Sequence, residues 1–176
     1  MKFTLFIAYC IALAFAPKAL AQSDVEVNWD NPAEYRDVRP ANGSKQKFMQ
    51  STFTNIDKYI VKLAKALPKD HKLVLTVNDL DLAGQVWPAS FAGIGRSMSE
   101  IRVVKSVDIP SMAFSYQLLD QDGAVVQQAE VKLKDMLFMQ RAHSRFHNDS
   151  LRYEKNMLKQ WFDQEFKPLL GQVSAG

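Results

Sequence analysis

From Ser111 to Leu133, apolar residues recur on both sides of one short connection, and this pattern constrains the chain more than any other. Met112, Phe114, Tyr116 and Leu118 occupy every second position. Successive side chains of a β-strand point to opposite faces, so these four share one face. Asp120-Gln121-Asp122-Gly123 then reads as a hairpin connection, with Gly123 suited to positive φ. The return strand, Ala124 to Leu133, places Val125, Ala129, Val131 and Leu133 together. A hairpin with one apolar face needs another layer to cover it.

Two amphipathic helices supply that layer. In residues 44–67, Phe48, Met49, Phe53, Ile56, Tyr59, Ile60, Leu63 and Leu67 fall on one arc at helical spacing. Ser44 is the expected N-cap and Leu67-Pro68 the stop. Lys47, Lys58, Lys62 and Lys65 form a stripe opposite, which reads as a solvated face or as a dock for anionic membrane. The last helix is expected from about Ser150 to Lys167, capped by Asp149 or Ser150 and ended by Pro168 and Gly171. Leu151, Met157, Leu158, Trp161, Phe162 and Phe166 make its buried side. Glu154 projects onto that apolar side, where the helix dipole favours a first-turn carboxylate.

The remaining segments read as strands and breaks. Val25, Val27 and Trp29 alternate with polar residues, and Asn31-Pro32 and Arg39-Pro40-Ala41-Asn42-Gly43 interrupt the chain around a short extended or turn segment, Tyr35 to Val38. Leu73 to Leu82 is a strand in which strict alternation would bury Asp79 and Asp81 beside Leu73, Leu75 and Val77. A bulge near Asn78-Asp79 would instead turn Leu80 and Leu82 inward and both acids outward, and this reading is favoured because unpaired carboxylates are costly to bury. Residues 85–99, with Gly93-Ile94-Gly95-Arg96, read as a loop that lacks the third glycine of a phosphate-binding turn. Ile101 to Val107 is a strand, Pro110 a break, and Met136 to Met139 an apolar patch before a polar loop. The expected fold is α+β: a twisted, mainly antiparallel sheet of about five strands with two helices packed on one face, in the order β-α-β-β-β-β-α.

The N-terminus reads as an export signal. Met1-Lys2 is followed by an apolar run from Phe3 to Ala16, and Ala19-Leu20-Ala21 offers small residues at a cleavage site. That run is shorter than the roughly 20 residues a membrane-spanning helix needs, so cleavage after Ala21 is preferred to an uncleaved anchor. Cys10 follows Tyr9, which is too large for the residue before a lipidated cysteine. The expected organisation is a leader, residues 1–21, and a single domain, residues 22–176, with a short C-terminal tail. The leader takes with it Lys2, Lys18 and the sole cysteine, and the remaining bases exceed the 19 acids by one. No disulfide, thiolate site or basic nucleic-acid surface is then expected, and periplasmic localisation is.

Asp79-Leu80-Asp81-Leu82-Ala83-Gly84, Asp122-Gly123, Leu133-Lys134-Asp135-Met136 and Tyr153-Glu154-Lys155 with Trp161-Phe162 occur in one order and spacing. In this the chain resembles a secreted bacterial family catalogued as domain of unknown function 3016, from Val25 to Phe166, nearly the whole chain after the leader. The resemblance implies a signal-bearing, single-domain envelope protein of Gram-negative bacteria and carries no catalytic role.

The chemistry candidates are few. Asp79, Asp81, Arg96 and Glu154 are the candidate binding residues, and Asp79 with Asp81 or Glu154 is a carboxylate pairing that acid/base work could use, although structural carboxylates are commoner. His143 and His147 have the spacing of two zinc ligands on a helix, without the HExxH acid or an evident third ligand. Asp120 and Asp122 fit a turn better than a calcium loop. No GxSxG, Walker or SxxK element occurs. The reading is an exported, non-enzymatic binding module using the free face of its sheet or its glycine-bearing loop, with no cofactor. Its partner is an unidentified protein or small ligand of the cell envelope. The alternative is a periplasmic hydrolase, metal-dependent or carboxylate-based.

Overall fold

The computed structural model describes residues 24–35, 37–92, 100–141 and 149–170. Strands β1 (Asp24–Trp29), β2 (Lys72–Asp81), β3 (Gln85–Pro88), β4 (Glu100–Val103), β5 (Ser111–Leu119) and β6 (Val125–Lys134) are joined by two long helices, α1 (Lys45–Ala64) and α3 (Arg152–Glu165). Two single-turn helices, α2 (Phe138–Arg141) and α4 (Lys167–Leu170), flank α3. The main sheet runs β1-β2-β5-β6, and β3 and β4 form a separate antiparallel ribbon. The α+β class, the mainly antiparallel sheet and the two long helices are as expected. The exception to antiparallel pairing is β1 with β2, which run parallel because α1 carries the chain back between them.

One face of the sheet is the core. Leu73, Leu75 and Val77 of β2 and Met112, Phe114, Tyr116 and Leu118 of β5 pack against Ile56, Ile60 and Leu63 of α1 and Leu158, Trp161 and Phe162 of α3. Trp161 sets its ring edge-to-face on Phe114, centroids 4.7 Å apart. The Ser44 hydroxyl accepts from Lys47 N–H, capping α1 as expected. Tyr35 and Val38, read from sequence only as an extended or turn segment, are core residues. The Tyr35 hydroxyl lies 2.8 Å from the Val77 carbonyl and 2.7 Å from that of Asp30, tying the segment after β1 to β2. Burial above all, with the charges of Asp30 and Asp79, pushes its phenol up to about 12.

The bulge in β2 is present. Val77 faces Phe114 and Asp79 faces Ala113, so Asn78 is the extra residue. Leu80 and Leu82 are buried as a result, while Asp79 is exposed and Asp81 half-buried. In the hairpin, Asp120 Oδ1 accepts from Asp122 and Ala124 N–H, and Gly123 has φ +79.

Four expectations are corrected. The segment read as a loop over residues 85–99 opens with strand β3, followed by a 3-10 turn at Ala89–Ala92. The next strand stops at Val103, because Lys105 and Asp108 close a turn through Asp108 N–H to Lys105 O and Lys105 N–H to Asp108 Oδ2. Val125 does not join Ala129, Val131 and Leu133: the ladder shifts between Leu118 and Leu119, and Val125 and Val126 are both exposed. Pro168 lies within the short α4 rather than after the last helix, and α3 closes through Phe166 N–H to Phe162 O.

Candidate functional site

Glu154 is fully buried in the first turn of α3. Its Oε1 accepts from Ala83 N–H at 2.8 Å and from Arg102 Nη2 at 2.7 Å. Arg102 comes from β4 and also donates to the Ser150 carbonyl. A carboxylate taken out of water needs such partners. The helix dipole alone is therefore an incomplete account of Glu154, whose role is to join α3 to the turn after β2 and to the ribbon. That turn needs its glycine: Gly84 has φ +77, and a Cβ there would stand 2.4 Å from the Val103 carbonyl. Glu154 Oε2 and Arg102 Nε, both buried, have no hydrogen-bond partner among the described residues.

Asp79 and Asp81 stand elsewhere. The bulge turns them to the face of the sheet opposite the helices, so they share no surface with the sealed Glu154. Asp81 borders a depression of about 300 Å³ whose lining includes Asp37, Asp108, Ser111 and Lys134. Of the two acid/base pairings that the hydrolase alternative would use, Asp79 with Glu154 is thus not assembled, whereas Asp79 and Asp81 share the open face.

The open face has a distinct layout. Ser111, Ala113 and Ser115 of β5 make a floor of small side chains between two charged flanks. Across it the register reads Asp81–Ser111–Lys134, Asp79–Ala113–Lys132 and Thr76–Ser115–Glu130. In the first two rows acids lie on β2 and lysines on β6, two strand spacings or roughly 10 Å apart, while the third ends in Glu130 on β6. Beyond them a shallow depression of about 490 Å³ is lined by Val74, Thr76, Ser115, Gln117, Gln128 and Glu130. Sequence reasoning did not single out this floor or its lysines. The signal was in the polar positions of the alternating strands, which are uninformative until the register aligns them.

The other candidates are placed as follows. Arg96, His143 and His147 lie outside the described residues, as does the leader. Among the described residues no group of three or more His, Cys, Asp or Glu side chains is placed to hold a metal, and no helix is long and apolar enough to cross a membrane. Lys47, Lys58 and Lys62 of α1 and Lys65 at its C-cap are all exposed. Near the start of α3, Asp149 accepts from Leu151 N–H and from Lys155 Nζ at 2.5 Å. Burial opposes its ionisation, but these hydrogen bonds and nearby cations outweigh that and hold its carboxyl below the ordinary value.

A family model described as a protein of unknown function (DUF3016) matches residues 23–164. No curated protein and no solved structure matches the chain. On the family match, the chain belongs to that family.

Proposed function

We propose that this member of the DUF3016 family is an exported envelope protein that binds a dipolar ligand on the open face of its sheet, without turning it over. The observation that carries the reading is the small-residue floor between Asp79 and Asp81 on one side and Lys132 and Lys134 on the other. A ligand with a cationic and an anionic group roughly 10 Å apart satisfies both flanks, and an extended tripeptide with free termini has about that span. Opposite charges placed this way orient the ligand across the strands more than they add affinity. The small side chains between them leave room for a backbone to lie flat.

Export rests on the Met1–Ala21 pattern. Its test is the N-terminal mass of protein recovered from the periplasm, expected to begin at Gln22; intact Met1 on cytosolic protein overturns it. Binding is tested by calorimetric titration with trialanine. Weak saturable binding is expected, reduced about tenfold or more by acetylating the amine or amidating the carboxylate of the probe. Equal affinity for the blocked and free peptides overturns the dipolar reading.

A further inference from the structure

Strand β6 is the outer strand of the main sheet, and its free edge is unusually well marked. Asp135 N–H bonds to the Pro110 carbonyl, and the same register pairs Lys134 with Ser111, Lys132 with Ala113 and Glu130 with Ser115. Odd-numbered residues of β6 therefore spend their backbone groups on β5. Gln128, Glu130, Lys132 and Lys134 turn theirs outward, away from the sheet.

Two further observations surround this edge. Large exposed apolar residues gather at its two ends: Val125 and Val126 where β6 begins, and Met136, Leu137 and Met139 just past its last residue. Along its helix side, Ala129, Val131 and Leu133 are only partly buried against the core. Among the described residues, Glu130, Lys132 and Lys134 take part in no ion pair.

We propose that a second copy of this chain pairs antiparallel with β6, Val131 facing Val131 across a twofold axis, so that the two sheets become continuous. This register sets Glu130 opposite Lys132 of the second copy, and Lys132 opposite its Glu130. Both are outward-facing residues, as a hydrogen-bonded antiparallel pair requires. Sliding the partner by two residues either way would set Glu130 against Glu130 or Lys132 against Lys132. The same register brings the end of β6 that bears Val125 and Val126 toward the turn of the second copy that bears Met136 and Leu137. Ala129 meets Leu133 beneath, extending the core row across the junction. A twofold contact is self-complementary, and each of these pairs occurs twice. Lysines on an outer strand commonly discourage such pairing, but Glu130 followed by Lys132 on the outward positions makes this register self-complementary. Lys134, opposite Gln128 of the second copy, stays with Asp79 and Asp81 for a ligand, and the dimer does not depend on that ligand.

The test is the mass in solution, by light scattering at about 100 μM, of the purified protein and of four variants. Wild type is expected at twice the chain mass. Glu130→Lys alone and Lys132→Glu alone each place like charges opposite one another, and each is expected as monomer. Mixed together, these two single variants restore both opposite-charge pairs and are expected to associate one to one. The double swap E130K/K132E is expected to dimerise as wild type does. Lys132→Pro removes an outward N–H together with the ammonium facing Glu130 of the second copy, spares the bonds to β5, and is expected to give monomer with an unchanged far-UV circular dichroism spectrum. Monomeric wild type, dimeric single charge variants, or single variants that stay apart on mixing would each overturn the proposal.

Discussion

Arg102 and Glu154 meet 2.7 Å apart although 52 positions separate them in the chain, and together they lock three segments. The guanidinium reaches from the ribbon to the start of α3, and the carboxylate takes the Ala83 N–H from the turn beyond β2. Removing one charge leaves the other buried and uncompensated, which typically costs about 3–5 kcal/mol. Arg102→Ala is therefore expected to lower unfolding stability by about 3 kcal/mol in urea titration. The apolar pair R102L/E154L is expected to lose less than the two single changes summed. Additive losses would show that the ion pair does not couple these segments.

Gly84→Ala acts at the same junction by a different route. Its positive φ and the Val103 carbonyl 2.4 Å from a new Cβ leave no unstrained placement. A loss of about 2 kcal/mol or more is expected. Gly123→Ala, at φ +79 but with no atom within 4 Å of its Cβ, is expected to lose less. Equal losses would assign the cost at Gly84 to φ alone.

Deleting Asn78 tests the bulge. Without the extra residue, strict alternation would turn Leu80 and Leu82 to solvent and Asp79 and Asp81 into the core. The deletion is expected to prevent folding or to cost more than about 4 kcal/mol, judged by loss of amide dispersion in the NMR spectrum. A stable, well-dispersed variant would mean that the bulge does not set the direction of the two acids.

Asp57 carries a stability change with pH. Its Oδ1 accepts from Trp29 Nε1 at 3.1 Å, and burial, opposed in part by that bond, raises its pKa in the folded chain. A raised carboxylate pKa means that ionisation is costlier folded than unfolded. The penalty is present above the folded value and relieved as pH falls through it toward the ordinary 3.8. Asp57→Asn keeps an oxygen for Trp29 and is expected to be slightly more stable than wild type at pH 7. The difference should shrink to nothing near pH 2.5. A variant less stable than wild type at pH 7 would contradict this sign.

The two long helices and the β5–β6 hairpin were legible because their periods, 3.6 and 2, persist over many residues. The bulge was legible too, since Asp79 and Asp81 interrupt an otherwise apolar face. Strand β3 was not: Gln85–Pro88 has four residues, ends in proline and shows no alternation. The parallel pairing of β1 with β2 depends on where α1 returns the chain, which strand periodicity does not encode. Glu154 was visible as an oddity on an apolar helix face, but its partners, Ala83 and Arg102, come from distant segments. The floor of the open face was hidden for the same reason, because Ser111, Ala113 and Ser115 gain meaning only between aligned neighbours.

The claim that most needs testing is that the open face is where ligand binds, and an amide ¹⁵N–¹H titration with trialanine maps this directly. Shift changes are expected to concentrate at Thr76, Asp79, Ala113, Ser115, Lys132 and Lys134, and to vanish in Ala113→Trp, whose indole would cover the floor while leaving the core face untouched. Shifts confined to the ribbon or to the helices, or shifts on the open face that persist unchanged in Ala113→Trp, would contradict it.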